Sequence, residues 1–139
     1  MTSHSQHFEQ FMKQREKVAK AYVTGDAEPL SDISTDKSPA TFFGPMGGYI
    51  QGANEVLSTN IEGSTHFGEE SESHFEILHM GSSGDLAYWV GIQHAEVKMK
   101  GKKDTIPMHL RVTELFRREG EEWKLVHRHA DELASENKK

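Results

Sequence analysis

The chain has 139 residues, of which 35% are hydrophobic, and this length and composition suit one globular domain. Its formal net charge is −6 and no basic stripe stands out, which argues against nucleic acid or an anionic membrane as a partner. Because the sequence has no cysteine, disulfides, thiolate catalysis and cysteine-ligated zinc are excluded. We expect no signal peptide, no membrane span and a cytoplasmic location, since residues 1–7 are polar and no apolar run approaches the roughly 20 residues of a span.

The first half of the chain has mainly helical patterns. Apolar residues recur at steps of three and four over residues 8–23, which predicts an amphipathic helix that ends at Gly25. Residues 27–33 predict a short second helix or turn, and residues 40–43 a short strand. The glycine-rich segment 44–48 breaks regular structure, and residues 53–65 predict a third helix.

The second half changes to the alternating pattern of β-strands. Strands are predicted at 73–80, 86–99, 105–118 and 123–131, separated by turns at 81–85, 100–104 and 119–121. Helices followed by an antiparallel meander indicate an α+β fold rather than a doubly wound sheet. We therefore predict one domain over residues 8–131, with a polar N-terminal tail at 1–7 and a polar C-terminal tail at 132–139.

The faces of the later strands predict a cavity. In strict alternation, one face of the last strand begins apolar at Trp123 and Leu125 and becomes polar at His127, His129 and Asp131. This gradient is typical of a sheet that a helix covers at one end and that opens to a cavity at the other. Since both faces of the two preceding strands carry apolar residues, we expect a second copy of the chain to cover the second face.

Several short segments, in this order and spacing, resemble one known family. They are Gly-Asp at 25–26, Thr-Phe-Phe-Gly-Pro at 41–45 with glycines at 47, 48 and 52, Arg-Val-Thr at 111–113, Arg-Arg-Glu-Gly at 117–120, and Trp-Lys-Leu-Val-His-Arg-His at 123–129. Over roughly residues 8–131 they look like the SnoaL-like branch of the nuclear transport factor two-like superfamily. That superfamily also holds ketosteroid isomerase and the association domain of calmodulin-dependent kinase.

The resemblance implies a cone-shaped fold, with about three N-terminal helices packed on a strongly curved, mostly antiparallel sheet that encloses a pocket. It also implies a homodimer formed through the sheet. It implies no single activity, because members include isomerases, cyclases, hydrolases and assembly domains. The base Asp and the oxyanion Tyr of ketosteroid isomerase fall on Gly44 and Val18 here, so standard isomerase chemistry is not expected.

The polar residues of the last strands are the candidate catalytic groups. His127 and His129 leave the same predicted face about 7 Å apart, and neutral imidazole can act as an acid, a base or a metal ligand. The alternative, which we favour for the pair, is that they are polar residues of the cavity rim, hydrogen-bonded to their neighbours. His129 is the candidate acid/base and Asp131 its orienting partner, although an Asp at a strand end can also be a solvated surface residue. A metal site would need a third ligand, for which the sequence offers Asp131, His94 and His109, and we predict none.

Other residues are candidates for lining the pocket. Arg111, with Thr113 beside it, would bind the carboxylate or enolate group of a ligand. Alternatively, it would form a structural ion pair with Asp131 or Glu114. The remaining candidates are His127, Trp89, Gln93, Phe43 and Tyr49, although Trp89 is better suited to the core. The glycines of segment 44–48 lack the Lys and Ser/Thr of a phosphate-binding loop.

Two functional hypotheses follow from these residues. In the first, the pocket binds a small carbonyl- or carboxylate-bearing molecule, with or without acid/base isomerase, cyclase or hydratase chemistry that uses no cofactor. In the second, the chain is a non-catalytic dimerisation or assembly module. Sizing in solution and replacement of Arg111 would distinguish these hypotheses.

Overall fold

Three helices precede or interrupt a single sheet in this chain, for which a computed structural model describes residues 4–134 and the side chains of residues 7–134. The helices are α1 (His4–Val23), α2 (Glu28–Ile33) and α3 (Ala53–Ser64). Gly25, with a φ of 101°, ends α1 because the amides of Gly25 and Asp26 bond back to the carbonyls of Tyr22 and Ala21. Helix α1 includes residues 4–7, which the sequence pattern had assigned to a polar tail. Residues 1–3 of that tail and residues 135–139 of the predicted C-terminal tail lie outside the described residues.

Six strands form one sheet in the order β2-β1-β6-β5-β4-β3. Their bounds are β1 (Thr41–Phe43), β2 (Tyr49–Gln51), β3 (Glu72–Ser83), β4 (Leu86–Lys98), β5 (Thr105–Glu119) and β6 (Glu122–Glu132). Strand β1 runs parallel to β6, and every other neighbouring pair is antiparallel. The predicted α+β architecture, with three helices on a mostly antiparallel and curled sheet, is confirmed.

One face of the sheet packs on the helices and forms the core. Large apolar side chains of α1 and of the long strands meet there, and the fully buried ones are Phe8, Val23, Trp89 and Phe116. Phe116 packs on Phe8 with ring centroids 5.4 Å apart. We call this the inner face and the opposite one the outer face.

Two strand boundaries differ from the sequence-based prediction. Strand β2 was not predicted, because Tyr49–Gln51 is too short to show alternation and forms a strand by pairing with β1. Strand β3 runs on to Ser83, through residues predicted to be a turn. The turn before β4 is therefore tighter than predicted, and Gly84, with a φ of 60°, allows it.

Candidate functional site

A cavity of about 420 Å³ lies between the inner face of the sheet and the three helices. Its walls are mostly apolar, with contributions from Leu30, Val56, Phe67, Leu110 and Ala130. Polar side chains also line it, chiefly Arg15, Tyr22, Gln93 and Arg128, and His127 lies at its edge. A predominantly apolar cavity with a few convergent polar groups is the usual form of a small-molecule site.

The polar centre of this cavity is built around Glu114, which is completely buried. Glu114 accepts hydrogen bonds from Arg15 Nε at 2.9 Å and Arg15 Nη2 at 2.7 Å. It also accepts from Trp89 Nε1 and from Arg128 Nη1, each at 2.7 Å. Strand register explains this convergence, since Trp89, Glu114 and Arg128 are direct neighbours across β4, β5 and β6 on the inner face.

The two guanidinium groups determine the charge of this centre. Burial by itself raises the pKa of Glu114, but the charges of Arg15 and Arg128 outweigh it and lower that pKa to about 2. Burial also lowers the pKa of the Arg128 guanidinium, while Glu114 opposes that change. Arginine nevertheless stays protonated in proteins. Two positive charges and one negative charge therefore leave a net charge of +1 beside the cavity.

The hydrogen-bonding capacity of the arginines is not fully used. Arg128 donates a second bond, from Nη2 to Gln93 Oε1 at 2.7 Å, and Gln93 in turn donates to Ser73 Oγ. Arg15 Nη1 is buried and has no hydrogen-bond partner among the side chains and backbone of the described chain. A buried donor without a partner costs free energy.

Two further groups at the cavity can exchange protons. The Tyr22 hydroxyl donates to the carbonyl of Asn60 at 2.9 Å, and burial raises its pKa against the opposing charge of Arg128. His127 Nδ1 shares a 2.7 Å hydrogen bond with Thr41 Oγ1. Burial, and then the charge of His129, lower the pKa of His127, so its imidazole is neutral near pH 7.

The structure does not bring the predicted catalytic pair into the cavity. Arg111, His129 and Asp131 lie together on the outer face, where the side chain of Arg111 is 62% exposed and that of His129 48% exposed. Arg111 Nε donates to Asp131 Oδ1 at 2.7 Å, which is the structural pairing considered as the alternative. His129 Nε2 lies 3.6 Å from Asp131 Oδ2.

A β-bulge in β6 explains this difference. Leu115 pairs with His127 and Phe116 pairs with Leu125, so Val126 is an extra residue between them. The strict alternation assumed from the sequence fails there: Trp123 and Leu125 are buried before the bulge, whereas His129 is exposed after it. Arg128, assigned by alternation to the other face, lines the cavity instead.

The remaining predicted site residues do not lie together in the structure. Gln93 lines the cavity, His127 lies at its edge in register with Leu115, and Trp89 is buried behind the cavity as a donor to Glu114. Phe43 lies outside the cavity lining, with its ring edge-on to those of His127 and Tyr49. Thr113 is on the outer face beside His129, its partner on β6.

Sequence reasoning missed the three charged residues of the cavity centre, although each carried a signal. Arg15 lies in the apolar stripe of the first helix, and Glu114 lies between Val112 and Phe116 on an otherwise apolar strand face. A charge at a core position is informative because it is rarely tolerated without a partner. For Arg128 the bulge concealed the signal.

The profile of the SnoaL-like domain family matches residues 14–131. The chain belongs to this family. Among curated proteins, no relative matches the chain. No helix within residues 4–134 is long and apolar enough to cross a membrane.

Solved structures share the fold of this SnoaL-like chain at low sequence identity. A proposed dehydratase of the nuclear transport factor 2-like family from Streptomyces avermitilis is 21% identical, with a TM-score of 0.74 over 92% of this chain and 97% of that one. A protein with a cystatin-like fold from Caulobacter vibrioides is 11% identical, with a TM-score of 0.71 over 94% and 90%. A proposed calcium/calmodulin-dependent protein kinase II association domain from Xanthomonas campestris is 10% identical, with a TM-score of 0.71 over 94% and 88%.

Proposed function

We propose that this SnoaL-like protein binds a small organic molecule with an apolar body and one carboxylate or polarised carbonyl group inside the cone. The observation that carries the proposal is the buried cluster of Arg15, Glu114 and Arg128, which leaves one uncompensated positive charge at a mostly apolar cavity. A single anionic group would neutralise that charge, and the apolar walls would take up the rest of the ligand.

The size of the cavity supports a ligand of metabolite or drug size. Its volume of about 420 Å³ falls within the roughly 300–1,000 Å³ that such ligands occupy. A guanidinium that already shares one carboxylate retains N–H groups for a second acceptor. A ligand that carried two negative charges would overcompensate the centre, so we expect preference for monoanions.

The test compares apolar monocarboxylates with their neutral amides. Phenylacetate, cinnamate and phenylpyruvate are titrated against the corresponding amides by calorimetry, and we expect at least one acid to bind about tenfold more tightly than its amide, a difference of about 1.4 kcal/mol. Arg128→Gln removes the net charge while it keeps a hydrogen-bonding side chain, and should abolish the preference. Thermal melts establish that the variant folds.

Arg111→Gln is the matched control, because Arg111 is an exposed arginine on the outer face of the same sheet. It should leave the preference for acids unchanged. If Arg111→Gln weakens carboxylate binding while Arg128→Gln does not, the binding site lies on the outer face and the proposal is wrong. Equal binding of acids and amides by the wild-type protein would also contradict it.

A second candidate function, general-base chemistry, rests on His127. This residue lies at the edge of the cavity, on the same side of β6 as His129, is held by Thr41, and has a pKa below its ordinary value of 6.5. A neutral imidazole at a cavity that also holds a guanidinium can take a proton from carbon next to a carbonyl. The dehydratase activity that is proposed for the Streptomyces avermitilis protein is consistent with chemistry of this kind.

Proton abstraction can be measured as exchange of the α-hydrogens of phenylpyruvate for deuterium, followed by NMR. We expect His127→Gln to slow the protein-catalysed exchange by about 100-fold or more, the usual contribution of a general base. His79→Gln, a change at a histidine that contacts Tyr88 away from the cavity, should not change the rate. Exchange at the wild-type rate in His127→Gln would show that His127 is not the base, and a wild-type protein that does not catalyse the exchange would leave binding as the only function of the cavity.

We also propose that a second copy of the chain covers the outer face. Leu115 and Phe43 are exposed there, and Arg111 and Asp131 place both signs of charge on one surface, which a two-fold arrangement can pair. Light scattering should give a dimer that Leu115→Glu dissociates and that Ile106→Glu, at the start of β5, does not. A ring larger than a dimer would favour the assembly hypothesis, and a wild-type monomer would refute self-association.

A further inference from the structure

Three histidines form a row across the outer face, outside the cavity and away from its chemistry. His74 on β3 pairs in register with His94 on β4, and His94 pairs in register with His109 on β5. Adjacent strands lie about 4.8 Å apart, so such partners bring their side chains into contact. The rings of His74 and His94 are stacked, with centroids 5.0 Å apart. The rings of His94 and His109 meet edge to face, also with centroids 5.0 Å apart.

The hydrogen bonds of His94 determine which of its nitrogens is free. His94 Nε2 lies 2.8 Å from Glu76 Oε1, and an ionised carboxylate can only accept, so Nε2 carries the proton. Nδ1 of the neutral ring is therefore a lone pair. Nδ1 lies 2.9 Å from Nδ1 of His109, so the two nitrogens share a hydrogen bond. A metal ion would replace that hydrogen bond and lie to one side of the line that joins the two nitrogens.

The spacing of these two Nδ1 atoms fits a metal site. Metal–nitrogen bonds of about 2.0–2.1 Å at angles between 90° and tetrahedral place two nitrogens of one metal about 2.9–3.4 Å apart. We propose that His94 and His109 chelate one divalent transition-metal ion through Nδ1, with Glu76 fixing the tautomer of His94. The neutral His109 ring moves its proton from Nδ1 to Nε2 when the metal binds, so no proton is lost.

Neighbouring groups prepare His94 for this role. The carboxylate of Glu76 on one ring nitrogen and the stacked ring of His74 hold the imidazole of His94 in place. In residues 4–134 no three His, Asp or Glu side chains converge on one point, so water completes the coordination. Two imidazoles with open positions favour Cu²⁺ over Ni²⁺ and Zn²⁺.

The test uses the metal ions alone. Calorimetric titration of the purified full chain with ZnCl₂ and NiCl₂, and with CuCl₂ in competition with glycine, should reveal one saturable site per chain. The Cu²⁺ complex should show electron paramagnetic resonance coupling to two imidazole nitrogens. His94→Gln and His109→Gln should each weaken binding by about tenfold or more, and Glu76→Gln by about 10- to 100-fold.

His79→Gln is the control, because His79 is an exposed histidine on β3 whose Nδ1 contacts the Tyr88 hydroxyl. It should leave metal affinity unchanged, and melts without metal should show that all variants remain folded. Absence of a saturable site, or binding that survives in His109→Gln, would reduce the cluster to a hydrogen-bonded histidine relay and overturn the proposal. Equal loss in His79→Gln would identify nonspecific binding and would do the same.

Discussion

Replacement of Glu114 by Gln tests whether the buried charge cluster has the energetics that its geometry implies. The substitution keeps the shape of the side chain but removes the negative charge that Arg15 and Arg128 share and the acceptor capacity that serves four donor atoms. The positive charges of the two guanidinium groups are then no longer compensated by a carboxylate. Removal of one partner of a buried ion pair typically costs about 3–5 kcal/mol, so we expect a loss of that size in the free energy of unfolding at pH 7.

The lowered pKa of Glu114 leads to a loss of similar size. Its folded-state pKa is about 2 against an ordinary value of 4.5, and the 2.5-unit difference corresponds to about 3 kcal/mol. Because the folded pKa is the lower one, this stabilisation is fully present above pH 4.5 and is lost as the pH falls towards 2. The stability difference between wild type and Glu114→Gln should therefore shrink across that window.

Urea unfolding at a series of pH values measures this difference. Other carboxylates titrate equally in both proteins, so they cancel in the comparison. Glu96→Gln, at an exposed position of the same sheet, is the control and should change stability by less than about 0.5 kcal/mol. A Glu114→Gln protein as stable as wild type, or a difference that stays constant down to pH 2, would refute the assignment of an ionised carboxylate held by two arginines.

Two further predictions concern the sheet and the core. A Cβ at Gly91 would lie 2.1 Å from the carbonyl oxygen of Glu76, so Gly91→Ala must displace backbone and should cost about 2 kcal/mol or more in urea unfolding, whereas Gly48→Ala, where a Cβ meets nothing within 4 Å, should be neutral. Phe116→Ala should cost about 3–5 kcal/mol because the ring is fully buried, and the exposed Leu86→Ala much less; equal losses would mean that Phe116 is not a core residue.

The sequence predicted the fold well because the long elements have strong periodic patterns. The stripe that includes Phe8, Met12 and Val18 predicted α1, and alternation predicted the four long strands to within a few residues. The short strand β2 was missed because three residues contain too little pattern, and its extended conformation depends on pairing with β1. The sequence therefore predicted the elements with a strong period of their own and missed the one that depends on a tertiary contact.

The site was predicted less well, because it depends on which faces the strands present. We expected a polar set among apolar walls that combined Gln93, which faces inward, with Arg111, which faces outward. Arg111 pairs in register with Ile92, the residue next to Gln93, so the two side chains necessarily lie on opposite faces. Relative strand register is a tertiary property, and single-strand periodicity does not contain it.

The bulge at Val126 and the charge of the cavity are one structural feature. With regular alternation after Leu125, His127 and His129 would face inward, and Arg128 would point away from the helices. Glu114 would then pair only with Arg15. The charges of that pair cancel, so no positive charge would remain for a ligand. The inserted residue instead turns Arg128 towards Glu114 at 2.7 Å and places His127 at the cavity edge beside Thr41. A one-residue irregularity in β6 therefore makes the difference between a neutral polar core and a cavity equipped for an anion.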